Sequence, residues 1–273
     1  MSSSSTINEQ QTSDAFSKQS AVFDAIYAEN AIIHYKRERV RAQLTKYLSA
    51  NSFILELNSG TGEDAIWLAQ QGHRVHATDI SAGMQEVLQQ KVKAASLENN
   101  ITNELCSFTE LEKLQQKGPY DMIFSNFAGL NCTVELGKVL RSFSPLLKPG
   151  GTVTLVLLPK FCLWEFLLLF KGKFKTAFRR FSGAKGTRAH VEGTYFNCWY
   201  YDPSFVVEQL QDEFDLLAIE GLCTIVPPSY IEGFADKHPK LYSSLVSKEN
   251  RWKTKWPWKF IGDYYIISLQ KKP

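Results

Sequence analysis

The sequence is short of everything that builds a metal centre, a disulfide framework or a membrane span. Its five cysteines (Cys106, Cys132, Cys162, Cys198 and Cys223) are widely spaced, form no Cys-x-x-Cys pair and have no clustered histidines beside them. A scattered, odd-numbered set predicts reduced thiols in a cytoplasmic protein, several of them buried as small apolar residues. No metal ligand set is expected. The most apolar stretch, Phe161 to Phe170, is interrupted by Glu165 and falls well short of the ~20 residues that a bilayer-spanning helix needs. Charge of one sign is scarce too: a net charge of +3 does not by itself argue for nucleic acid, and none is expected as a partner. Residues 1–13 are rich in Ser, Thr and Gln and have little apolar content beyond Ile7. They lack the apolar core of a secretory signal and are expected to be a disordered tail.

What is present suits one generous α/β domain, or a domain with an inserted cap, since 44% of 273 residues are apolar and both charges are mixed in. Apolar runs near 52–57, 73–78, 101–106, 120–126, 152–158, 215–222 and 262–270 read as seven strands. Helical patterns at 63–71, 81–96 and 133–146 alternate with the early strands, as in a doubly wound, mostly parallel sheet with helices on both faces. Residues 14–50 read as N-terminal helices, 51–158 as a core, and 201–273 as its C-terminal part. Two stretches do not fit a minimal core: 159–200, and 224–261 within the C-terminal part.

The segment Phe53-Ile54-Leu55-Glu56-Leu57-Asn58-Ser59-Gly60-Thr61-Gly62 carries the most information. A buried strand runs into a small, flexible turn and then directly into a helix. That arrangement lets backbone N–H groups approach a ligand where a side chain would stand in the way. A second strand ends in Asp79, nineteen residues after Gly60, where a carboxylate can accept from a ribose diol. Glu56 lies inside the first strand, a costly place for a carboxylate unless it meets a cation or a donor. A nicotinamide-dependent dehydrogenase shares the Gly-rich turn, but requires neither Glu56 nor the segment Leu147-Lys148-Pro149-Gly150-Gly151.

With Tyr120-Asp121-Met122-Ile123-Phe124-Ser125-Asn126 between them, these pieces resemble the class I S-adenosylmethionine-dependent methyltransferases, in the family's order. The stretch before them (Phe16, Phe23-Asp24, Asn30, Tyr35-Lys36-Arg37) is similar to the ubiquinone/menaquinone-type branch. The resemblance implies a Rossmann-like seven-stranded sheet with N-terminal helices and an inserted lid. It implies S-adenosylmethionine as cofactor and S-adenosylhomocysteine as product. The amino acid end of the cofactor would be held by Glu56, Asn58, Gly60 and Gly62, although most of the family has Gly where this chain has Asn58. Asp79 would hold the ribose, with Ile80 and Met84 on the adenine face. Ser107 and Phe108 would flank the adenine. Asn126 would lie near the methyl-bearing end, and Tyr35, Arg37 and Asn30 would cover the cofactor.

Methyl transfer needs a base only when the acceptor must lose a proton. His190, beside Tyr195 and Tyr200-Tyr201, is the candidate; His76, inside the second strand, reads as core. By analogy with the branch, the acceptor is a hydrophobic or aromatic small molecule, methylated at oxygen or carbon of a phenol or quinone-like ring. A lipid-headgroup or amine N-methyltransferase, a dehydrogenase and a non-catalytic binding module are the alternatives. The segment 161–181 places Phe161 to Phe170 against Lys171, Lys173, Lys175, Arg179 and Arg180. It predicts an amphipathic helix that either lies peripherally on a membrane, at its inner face, or caps the active site.

Overall fold

A computed structural model of the chain describes residues 3–273. Nine strands are formed: β1 (Phe53–Leu57), β2 (Arg74–Asp79), β3 (Ile101–Leu105), β4 (Tyr120–Ser125), β5 (Leu147–Leu157), β6 (Thr187–Val191), β7 (Thr194–Cys198), β8 (Phe214–Leu222) and β9 (Tyr264–Lys271). Seven of them make one sheet in the order β3-β2-β1-β4-β5-β9-β8, and β6 and β7 form a separate hairpin. The first five sheet strands are parallel, whereas β9 is antiparallel to both its neighbours, β5 and β8. A dinucleotide-binding dehydrogenase sheet continues in parallel through its sixth strand. The reversed β9 therefore separates this chain from that class.

The β1 side chains alternate between two cores. Phe53, Leu55 and Leu57 enter a cluster completed by α5 (Leu136–Arg141) and α8 (Pro203–Leu210). Ile54 enters the opposite cluster, with α2 (Ala31–Leu44), α3 (Glu63–Gln70) and α4 (Ala82–Ala94). Period-two alternation puts Glu56 on this second face. The helix expected over 133–146 is shorter than its apolar pattern suggests. Pro145 stands in a separate 3₁₀ turn, Ser144–Leu146, because proline cannot continue an α-helical hydrogen-bond ladder.

The expected tail is a correction. Residues 1–2 lie outside the described part, but the chain from Ser3 onward is helical: α1 runs Ser3–Ala28. Its buried stripe is Ser5, Asn8, Thr12, Ala15 and Gln19, spaced by three and four residues as a helix face requires. The stripe is almost wholly polar, while the apolar Ile7, Val22 and Ile26 are exposed. Before residue 14 a reading based on hydrophobic periodicity has nothing to detect; from there on the helix is expected. The helix is held by hydrogen bonds instead. Asn8 donates to Cys132 O (2.9 Å) and accepts from Asn197 N (2.7 Å). Glu9 accepts from Ser107 and Thr109, Ser13 donates to Ile80 O, and Asp24 accepts from Thr61. Apart from Asn197 of β7, these partners follow the ends of β4, β3, β2 and β1 in turn, so α1 lies across the carboxyl edge of the parallel strands.

The single amphipathic helix expected over 161–181 is also overturned. The segment is two short helices, α6 (Leu163–Leu167) and α7 (Phe174–Phe178), each continued by a 3₁₀ turn and separated at Gly172, whose φ is +71°. Arg180 is buried and its guanidinium bonds Glu165, Asp263 and the carbonyls of Pro159 and Asp263. Arg179 makes a two-pronged contact with the same Glu165. Burial opposes the Glu165 charge, yet the two arginines hold its carboxyl below the usual range. Cys162, Glu165 and Asp263 cluster closely enough for a metal, but Arg180 already supplies the cation between the two carboxylates.

The remaining helices are α9 (Phe234–Lys237) and α10 (Pro239–Trp252). Glu249 of α10 is wholly buried and anchors the chain after β8. Its carboxylate accepts from the backbone N–H groups of Cys223, Thr224, Ile225 and Val226, at 2.8–3.0 Å, and from the Tyr35 hydroxyl at 3.0 Å. Arg39 lies 3.6 Å away as countercharge. Removing one member of a buried charged set leaves the others unpaired, which costs about 3–5 kcal/mol. Glu249→Ala should lose that much stability in urea unfolding; a loss under about 1 kcal/mol, typical of an ordinary substitution, would mean packing alone holds the loop.

Candidate active site

The turn between β1 and α3 has three residues at positive φ: Asn58 (+46°), Gly60 (+56°) and Gly62 (+80°). The two glycines serve different ends. A Cβ on Gly62 would lie 2.0 Å from Leu88 Cδ1, so this glycine lets α3 and α4 pack together. A Cβ on Gly60 would meet nothing within 4 Å, because Gly60 faces an open cavity. Asn58 replaces a small residue by fitting its amide over Gly129, whose Cβ position it fills. Its Nδ2 donates to Asn126 O (2.9 Å) and its Oδ1 accepts from Ser125 Oγ (2.5 Å), which ties the β1 turn to the end of β4.

Asp79 organises the same turn. Its Oδ2 accepts from Gly60 N (2.9 Å) and its Oδ1 from Ser81 N (2.8 Å). Burial raises its carboxyl above the usual range, opposed by these backbone donors. Ser81 in turn caps α4 by accepting from Met84 N.

The cavity beyond the turn has a volume of ≈ 140 Å³ and opens to solvent. Eight of the residues expected from sequence line it together: Glu56, Asn58, Gly60, Asp79, Ile80, Met84, Phe108 and Asn126. Arg37 lines it as well. Glu56 is the most telling. It is 3% exposed, and its Oε2 has no hydrogen-bond partner among the described residues. Burial first, and the nearby Asp64 next, push its carboxyl well above the usual range. Arg37 Nε also lacks a hydrogen-bond partner, although Asp64 Oδ1 lies 3.9 Å away and Arg37 Nη1 donates to Glu63 (3.1 Å). A free carboxyl oxygen and a free guanidinium N–H on one wall suit a zwitterionic ligand end, because buried polar groups are otherwise paired.

Five expectations are corrected. Gly62 does not line the cavity, for the packing reason above. Ser107 caps a 3₁₀ turn, accepting from Thr109 N, and bonds Glu9 of α1, leaving Phe108 to face the cavity. Tyr35 is buried against Glu249 and Arg39. Residues two apart on a helix point to different sides, so Arg37 reaches the cavity while Tyr35 and Arg39 enter the core. His190 is exposed on the β6–β7 hairpin, its ring 4.4 Å from that of Tyr195, and lies outside the lining. Asn30 also serves structure, as the N-cap of α2 accepting from Ile32 N and Ile33 N.

Several lining residues carried no signal in sequence: Thr12 from the polar stripe of α1, and Asp64, Gly129 and Cys132. Asp64 accepts from Arg41 Nε (2.9 Å) and Asn126 Nδ2 (2.7 Å), linking α2, α3 and the end of β4. Phe127 and Ala128 both sit at positive φ directly after Asn126, a strained pair of the sort held at functional sites by surrounding structure. His76 is core, as expected: it contacts Tyr120 Oη and Glu104, and burial lowers its pKa.

Residues 54–151 match the methyltransferase-domain family. The tRNA 5-carboxymethoxyuridine methyltransferase of Escherichia coli (strain K12) is 28% identical over 103 residues, which is 38% of this chain and 39% of that protein. The S-adenosyl-L-methionine-dependent Diels-Alderase iccD of Talaromyces variabilis is 34% identical over 110 residues, 40% of this chain and 37% of that one. The chain thus spans about two-fifths of the length of these curated relatives. Among solved structures, the [4+2]-cyclase SpnF superposes with a TM-score of 0.62 at 15% identity, covering 97% of this chain and 96% of that one; this likeness concerns the fold. The matched segment holds Glu56, the Gly-rich turn, Asp79 and Lys148-Pro149-Gly150-Gly151 on the sheet order described above, and residues 54–151 are thus similar to the methyltransferase-domain family in both sequence and fold.

Proposed function

We propose that this chain transfers a methyl group from S-adenosylmethionine to a hydrophobic or aromatic small molecule, at oxygen or carbon of a phenol or quinone-like ring. The unpartnered Glu56 carboxylate, buried beside the open Gly60 turn, is the observation that carries the cofactor reading. When bound, S-adenosylmethionine supplies an electrophilic methyl on a cationic sulfur. Glu56 and Arg37 would hold its ammonium and carboxylate, Asp79 its ribose hydroxyls, and Ile80, Met84 and Phe108 its adenine.

The acceptor side is supported by Phe16 and Phe23 of α1 and by Phe127, which make the remaining wall apolar. No histidine is among the lining residues. Hydrogen bonding with Cys198 and burial push the Cys132 thiol well above its usual range, so it offers no thiolate. A ring hydroxyl or carbon acid that ionises readily needs the least help from such a wall, which favours the phenol or quinol over an alkyl alcohol. The two curated relatives match only 38% and 40% of this chain, so they do not choose between this acceptor and a lipid or amine nitrogen. Placement in the ubiquinone/menaquinone-type branch, and in the cytoplasm, belongs to the same proposal; five cysteines without a disulfide support a reducing compartment. Incubation with labelled S-adenosylmethionine and a panel of phenols, quinols and amines, read by product mass, tests it. Methylation confined to amines would overturn the acceptor class.

Asp79→Asn keeps one acceptor oxygen for the turn but removes the charge facing the ribose. A hydrogen bond to a charged group contributes about 1.5–3 kcal/mol, so titration calorimetry should show S-adenosylmethionine affinity at least ~10-fold weaker. Gly60→Val puts a branched side chain at φ +56° and into the ligand's space; binding should vanish, and retained methyl transfer would place the cofactor elsewhere. Glu56 predicts a pH dependence. Burial and the nearby Asp64 raise its pKa, so below that pKa the free protein carries a proton there that must leave before a cation can pair with the carboxylate. Affinity should therefore rise with pH until Glu56 is ionised in the free protein, then level off, and Glu56→Gln should flatten that profile.

A further inference from the structure

We propose that the α6–α7 knuckle is a peripheral docking surface for a bilayer that contains anionic phospholipid. Six large apolar side chains stand exposed there: Phe166, Leu167, Phe170, Phe174, Phe178 and Phe181. Phe170 is 84% and Phe174 62% exposed, on either side of the turn at Gly172. Folded monomers rarely display so many bulky apolar groups together without a partner.

Three features identify that partner. First, Lys171, Lys173 and Lys175 are interleaved with the exposed rings, are themselves exposed, and make no ion pair among the described residues. The neighbouring Arg179 and Arg180 are bound to Glu165 and supply structure. Apolar tips surrounded by unpaired lysines complement an anionic headgroup layer over an acyl interior; they do not complement an acidic groove, which would leave the rings in water. Second, the Glu165–Arg180–Asp263 network is buried beneath the knuckle and fixes it, so the rings are presented on a rigid base. Third, the patch continues into an apolar groove lined by Leu163, Trp164, Leu167, Leu245, Trp252 and Trp258. Trp252, which lines it, is exposed and is of the residue type enriched at membrane–water interfaces. None of these residues lines the cofactor cavity, and among the described helices none is long and apolar enough to cross a membrane. The contact is therefore superficial.

Flotation with vesicles of phosphatidylcholine alone, and with a phosphatidylglycerol fraction added, tests the surface without any methyl donor. Its outcome is thus separable from that of the methyl-transfer reading. The wild-type chain should float with the anionic vesicles at low salt and be partly released at moderate salt. The Phe170→Ser/Phe174→Ser protein should bind at least tenfold more weakly with an unchanged melting temperature, since both rings are solvent-exposed. The Lys171→Glu/Lys173→Glu/Lys175→Glu protein should lose its preference for anionic vesicles. Wild-type protein that stays in the soluble fraction at low salt overturns the proposal. So does binding that is indifferent to the two phenylalanines, which would reduce it to charge adsorption. A wild-type dimer in solution that Phe170→Ser/Phe174→Ser converts to monomer would assign the face to a second copy of the chain and overturn it as well.

Discussion

One carboxylate holds the site together. Asp79 accepts from Gly60 N on one side and from Ser81 N on the other, so the turn after β1 and the start of α4 are clamped at the end of β2. That clamp holds Gly60 with its open side toward the cavity. It also sets Ser81, which caps α4 and meets Ser17 of α1 at 2.8 Å. Both backbone contacts and any ligand contact draw on the same two oxygens. A buried carboxylate tolerates that arrangement because several donors share its charge.

The roof over the cavity is held by a different kind of force. α1 crosses the strand ends by hydrogen bonds from Asn8, Glu9, Ser13, Ser17 and Asp24 rather than by an apolar stripe. Each such bond contributes about 1 kcal/mol net and is exchangeable with water. The apolar side chains that α1 does turn inward, Phe16 and Phe23, face the cavity itself, where a ligand would cover them. The wall toward α2 and α3 has the opposite character: Glu56, Asp64, Arg37 and Arg41 form a dense charged layer in which Glu56 Oε2 and Arg37 Nε are left over. The cavity is thus apolar under the roof and charged at its inner wall, which matches a ligand with a polar amino acid end and a methyl directed at an apolar partner.

The basic run after residue 170 shows how one compositional feature divides in three dimensions. Arg180 turns inward because Glu165 and Asp263 await it in the interior, and the more exposed Arg179 reaches back to the same Glu165. The lysines, with compact and strongly hydrated charges on flexible stems, stay outside with the phenylalanines. A count of charge along the chain cannot separate these fates, since both kinds of residue follow the same apolar stretch.

The seven strands of the main sheet, the glycine turn and the eight cavity-lining residues from Glu56 to Asn126 were legible in the sequence, whereas the β6–β7 hairpin was not. They rest on local chemistry: apolar runs that form buried strands, residues that tolerate positive φ, and acids at strand ends. Arg37 was within reach for the same reason, as one face of a recognisable helix. Tertiary structure decided the rest. The first part of α1, before residue 14, was invisible because its buried stripe is polar and finds partners only when Ser107, Thr109, Cys132 and Asn197 are assembled beneath it. Tyr35 was assigned to the site and lies in the core because Glu249, more than two hundred residues away, collects its hydroxyl. His190 was assigned as a base and lies outside because the β6–β7 hairpin packs on α1, with Phe196 against Phe16, and leaves the imidazole in solvent. Sequence determines which groups a segment can offer; which of them meet depends on contacts between segments far apart in the chain, and those exist only in the folded state.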